Sequence, residues 1–91
     1  MNVFSLPSFD RALKQLSASE QAGVFAAARQ LPEAFGKPHV HAGLGIRRIG
    51  PFYEFRAGLK LRALFRLREG EAFLTTVGNH DDIRRWVREN S

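Results

Sequence analysis

Cysteine is absent from the 91 residues. That excludes a disulfide framework, a thiolate metal site and a cysteine nucleophile. Long hydrophobic runs are absent too. The longest strictly apolar stretches are a few residues, far below the ~20 that span a bilayer, so no membrane partner is expected. Residues 1–8, MNVFSLPS, have neither a basic start nor an apolar core of signal-peptide length, and a cytoplasmic location is the expectation. The chain has no Gly-rich phosphate loop followed by Lys-Ser/Thr and no serine-nucleophile motif. Internal repeats and low-complexity stretches are missing as well. At roughly 100–200 residues per domain the length allows a single domain, 1–91. A chain this small buries one modest core, which speaks against a deep enclosed cofactor pocket, so no cofactor is expected.

What is present is a globular composition with a basic bias. Hydrophobic residues make up 44% and charged residues 25%, and the formal net charge is +5. The charge is uneven: residues 1–45 carry a net +1 and residues 46–91 a net +4, and 11 of the 14 cations are Arg. Arg grips phosphate through a planar, two-pronged fork. A small Arg-rich domain therefore points to a polyanion such as nucleic acid, with a merely basic surface as the plainer reading.

The pattern of apolar residues changes near residue 46. Before it the period is helical. Asn2 to Leu6 reads as a weak edge strand, and Ser8 is placed to cap a helix bearing Phe9, Ala12, Leu13 and Leu16. Ser17 and Glu20 have capping-box spacing and start a second helix with Val24, Phe25, Ala28 and Leu31 on one side, closed by Pro32. Residues 32–45 read as a loop with a short extended piece at His39 to His41.

After residue 46 the period is two. Strands are expected at 46–49, 52–57, 60–68 and 72–77, the third being the clearest. Leu61, Ala63, Phe65 and Leu67 take one face of it; Lys60, Arg62, Leu64, Arg66 and Arg68 take the other. Asn79 can cap a final helix whose apolar edge is Ile83, Trp86 and Val87. The expected fold is α+β: an N-terminal helix pair on one face of an antiparallel sheet of about four strands, with a short C-terminal helix. The other face stays open and carries Arg62, Arg66, Arg56 and either Arg47 or Arg48.

In that order and spacing, three segments resemble the RelE/ParE toxin superfamily: Phe9-Asp10-Arg11-Ala12-Leu13-Lys14-Gln15-Leu16, Leu59-Lys60-Leu61-Arg62-Ala63-Leu64-Phe65, and Val77-Gly78-Asn79-His80-Asp81-Asp82. The resemblance spans almost the whole chain. It implies a RelE-like fold and a toxin of a bacterial type II toxin–antitoxin pair. The RelE branch cuts mRNA in the ribosomal A site without a metal; the ParE branch poisons gyrase. Some RelE-like domains with a similar His-Asp-Asp ending are non-toxic modules. The expected function is a ribosome-dependent mRNA endonuclease, with a gyrase-inhibiting toxin and a protein-binding module as alternatives.

The resemblance matches Arg62 to the strand arginine at the scissile phosphate and His80 to a cationic or general-acid residue. Trp86 stands where many members have a tyrosine; it can stack on RNA, but its indole N–H is not a useful acid or base near neutral pH. The chemistry needs few parts. A 2′-hydroxyl loses its proton and attacks phosphorus, cations stabilise the growing charge, and an acid protonates the departing 5′-oxygen. His80 suits the proton transfer and Arg62 the phosphate, unless Arg62 is instead paired with Glu54 across the sheet. Lys60 and Arg56 are secondary cations; Arg66, Arg47, Arg48 and Trp86 complete the expected RNA-binding set. Asp81 and Asp82 would weaken the local attraction for phosphate.

His39 and His41, two apart in an extended segment, point the same way and could share a zinc with His80, a weak signal; no metal is expected. The expected partners are the ribosome and mRNA, and a cognate antitoxin. The antitoxin's acidic, amphipathic segment would fold over Arg56, Arg62 and Arg66.

Overall fold

The computed structural model describes residues 1–35 and 37–91. In chain order the elements are β1 (Val3–Ser5), α1 (Pro7–Leu13), α2 (Ala18–Ala28), α3 (Leu31–Ala34), α4 (Pro38–Leu44), β2 (Arg47–Ile49), β3 (Phe52–Arg56), β4 (Arg62–Arg68), β5 (Glu71–Gly78) and α5 (His80–Asn90). The α+β class expected from the sequence is what the chain adopts. The sheet has five strands in the order β1-β5-β4-β3-β2, not about four. It is mixed, because β1 joins the edge in parallel with β5, Phe4 lying opposite Phe73; the remaining pairs are antiparallel.

Local chemistry sets the helix starts. Ser17 accepts a hydrogen bond from the Glu20 backbone N–H while the Glu20 side chain accepts from the Ser17 backbone, so α2 begins with a reciprocal cap. Ser8 does not cap α1. Leu6 is at the N-cap, and the Ser8 hydroxyl donates to the Thr75 carbonyl at 2.5 Å. That tie meets a β-bulge between Leu64 and Phe65, where the Thr75 hydroxyl donates to the Leu64 carbonyl.

The expected loop at 32–45 is largely helical; its Gly36 lies outside the described residues. Pro32 and Pro38 sit in the first turns of α3 and α4, where the missing N–H costs nothing. They begin helices here instead of ending them. Gly45 closes α4 in the left-handed region at φ 62°, a conformation glycine adopts without strain.

The α1–α2 pair buries the main core against one sheet face: Phe9, Val24, Leu31, Phe55, Ala63 and Phe65 are at most 1% exposed. The opposite face is not fully open as expected. α5 lies on it, and Ile83 packs with Phe52 and Leu64, flanked by Ile49, Trp86 and Val87. The alternation in β4 thus places one leucine among arginines, and that leucine is where α5 docks. Gly78 permits the turn from β5 into α5. A Cβ there would come within 2.7 Å of the Asp82 side chain.

Candidate nucleic-acid interface at the start of the last helix

Arg62 begins β4 opposite Gly78 of β5, and His80 begins α5 two residues later. Register alone therefore brings the strand arginine beside the helix entry. Leu59, Lys60, Arg62, Asn79, His80 and Asp81 line one open depression of about 440 Å³. The sequence pointed to three of these, Arg62, His80 and Lys60, and the fold gathers them. Leu59 forms an apolar lip, 95% exposed.

The first turn of α5 decides what the two neighbouring carboxylates do. Asn79 accepts from the Asp82 N–H at 2.8 Å, and Asp82 Oδ2 accepts from the Asn79 N–H at 3.0 Å. Asp82 Oδ1 also takes Arg85 at 3.1 Å. Asp82 is consumed by the cap, while Asp81 is on the depression's lining.

Arg62 is held from below. Its Nε lies 3.7 Å from Glu54 Oε1, and its Nη1 donates to the Leu61 carbonyl at 3.3 Å. The same Glu54 oxygen accepts from Arg47 Nε at 3.0 Å. Glu54 is 2% exposed and its second oxygen, Oε2, is buried with no hydrogen-bond partner among the described residues. Sequence reasoning had Glu54 only as a possible mate for Arg62. The signal that singles it out is an acid at an alternating position of β3, between Phe52 and Arg56, on a face rich in arginine.

The other expected cations are not on the lining of the depression. Arg56 is opposite Arg62 in the strand pair and exposed, its Nε 2.9 Å from where a Gly45 Cβ would stand. Arg47 reaches the depression only through Glu54. Arg48 turns to the helix-pair face, its guanidinium over the Tyr53 ring at 5.4 Å; Tyr53 in turn stacks on Phe65. Arg66 sits over Phe52 at 5.1 Å, four residues and roughly 13 Å along the strand from Arg62. Trp86 is half-buried in the α5 cluster and faces a separate hollow beside Leu16, Thr76 and Arg85.

His39 and His41 are both on α4, where a two-residue step turns the side chain by roughly 200°. They do not point together, and His41 is edge-on to Phe35. Among the described residues no group of three or more metal-binding side chains is arranged to hold an ion, and no helix is long and apolar enough to cross a membrane.

No family model matches the chain, and no curated protein is similar to it in sequence. Solved structures are. A chain of the RelB–RelE antitoxin–toxin complex from Methanococcus jannaschii superposes with a TM-score of 0.66 at 13% identity, over 91% of this chain and 96% of that one. YafQ from E. coli superposes with a TM-score of 0.63 at 8% identity, over 90% and 96%. A copper-bound mutant toxin from Helicobacter pylori gives 0.63 at 14% identity, over 91% and 98%. At these identities the likeness is one of fold, and the fold is RelE-like.

Proposed function

We propose that this RelE-like chain is the toxin of a toxin–antitoxin pair and that it cleaves messenger RNA on the ribosome. The observation that carries the reading is the meeting of Arg62 and His80 in one solvent-open depression, with Lys60 beside them. Arg62 and Lys60 bind the phosphate at the scissile bond. The 2′-oxygen attacks phosphorus as its proton leaves to a base, for which Asp81 is the carboxylate at hand. The bond to the 5′-oxygen breaks, and His80 supplies the proton that this oxygen takes up. The products are a 2′,3′-cyclic phosphate and a 5′-hydroxyl.

Neighbouring folds support an antitoxin partner by analogy, one of them coming from an antitoxin–toxin complex. The acidic segment expected of that partner would cover Arg56 and Arg62, its carboxylates taking the place of phosphate. Asp81 also favours a second reading, a protein-binding module without catalysis, because a carboxylate in the depression repels phosphate.

Inducing the chain in bacteria while following protein and DNA synthesis separates these. Early arrest of translation is expected. Arrest of replication first would mean a gyrase-directed toxin, and arrest of neither would mean the binding module.

A further inference from the structure

Glu54 is an expensive residue where it stands. It is 2% exposed, one oxygen is shared by two guanidinium groups, and the other is buried with no hydrogen-bond partner among the described residues. A buried carboxylate is unfavourable unless its lone pairs are fully satisfied, and an apolar residue in the same space is often at least as stable. Leu64, opposite it on β4, is such a residue and is fully buried. Packing therefore does not account for an acid at this position.

Its geometry does. Glu54 is central on β3, and it draws in Arg47 from β2 on one side and Arg62 from β4 on the other, both to Oε1. An arginine side chain free in solvent samples many rotamers. Here the Nε of Arg62 lies 3.7 Å from Glu54 Oε1, an ion-pair contact, and its Nη1 donates to the Leu61 carbonyl. The remaining donors of the fork are left for the depression that Arg62 lines. Glu54 itself is not on that lining, so it acts on a ligand only through Arg62. The three charges sum to one positive, which a single phosphodiester neutralises.

We propose that Glu54 is a positioning residue: it fixes the guanidinium of Arg62 at the rim of the depression, so that an RNA phosphate meets a preset fork. The inference rests on the reading of the depression as an RNA-cleaving site. A fork held in advance loses less conformational freedom on binding than a free one.

The test combines a double-mutant cycle with a measurement that needs no activity. Cleavage of mRNA on ribosomes is compared for the wild type, Glu54→Gln, Arg62→Ala and the double variant. Glu54→Gln keeps shape and an acceptor oxygen but loses the charge. It is expected to lose about 10- to 100-fold in rate, the scale of a misplacement of about 1 Å, while keeping its melting temperature. In the Arg62→Ala background the same change is expected to do nothing further. Should Glu54→Gln not fold, Glu54→Asp, which keeps the charge and shortens the reach by a methylene, takes its place in the cycle.

In parallel, NMR relaxation of the Arg62 Nε–H group is expected to report an ordered side chain in the wild type and a mobile one in the variant. An equal loss with and without Arg62, or no loss at all, overturns the inference. A wild type that cuts no RNA overturns the cleavage reading instead, and the NMR measurement then decides alone: an Arg62 side chain already mobile in the wild type overturns the positioning role.

Discussion

The two faces of the sheet bury different things. Under the α1–α2 pair, Phe9, Leu31, Phe55 and Phe65 interlock in a continuous apolar layer, with Phe65 stacked against Tyr53 and tilted against Phe55. Under α5 the apolar contact reduces to Phe52, Leu64 and Ile83 with a half-buried fringe, and the strip next to it is Arg47, Glu54 and Arg62. One face is packed for stability. The other has less apolar packing and keeps charged side chains beside a helix entry.

The contrast can be broken by truncating each side. Phe65→Ala is expected to lower the unfolding free energy by about 3–5 kcal/mol, and Ile83→Ala by about 2–3 kcal/mol, both read from denaturant melts. Equal losses would mean that the α5 face carries as much of the fold as the helix-pair face. Trp86→Ala, at the half-buried fringe, is expected to cost about 2 kcal/mol. An unchanged melt with a large loss of RNA cleavage would move Trp86 from packing to stacking on RNA. Asn79→Ala removes one arm of the cap and is expected to cost about 1 kcal/mol, loosening α5 first in hydrogen exchange. His80→Ala is expected to stay within about 0.5 kcal/mol of the wild type, because the ring is exposed.

The sequence made some of this legible and hid the rest for identifiable reasons. The boundary near residue 46 and the alternation of Ala63, Phe65 and Leu67 against Arg62 and Arg66 are local patterns, and both strands and core side follow from them. The caps at Ser17 and Asn79 are local too. The pairing of Val3–Ser5 with β5 is not, since strands nearly 70 residues apart carry no mutual signature. Pro32 and Pro38 mislead because proline marks the first turn of a helix as readily as a break. The docking of α5 hides in a single leucine, Leu64, at a position surrounded by arginine. At the site, Arg62 and His80 were legible as residue types, and only the register of Arg62 against Gly78 joins them. Glu54 was not legible as a hub, because its two arginines come from different strands and its burial is a tertiary fact.

The proposed cleavage of RNA in the depression at the start of α5 is the reading on which the rest depends. It is tested most directly by mapping RNA ends that carry a 2′,3′-cyclic phosphate in cells induced for the wild type, Arg62→Ala and His80→Ala, each shown to be folded. New ends within messenger RNA are expected for the wild type, and a large but still measurable reduction for either variant. Such ends from both variants at the wild-type level, or none from a wild type that still arrests growth, would contradict it.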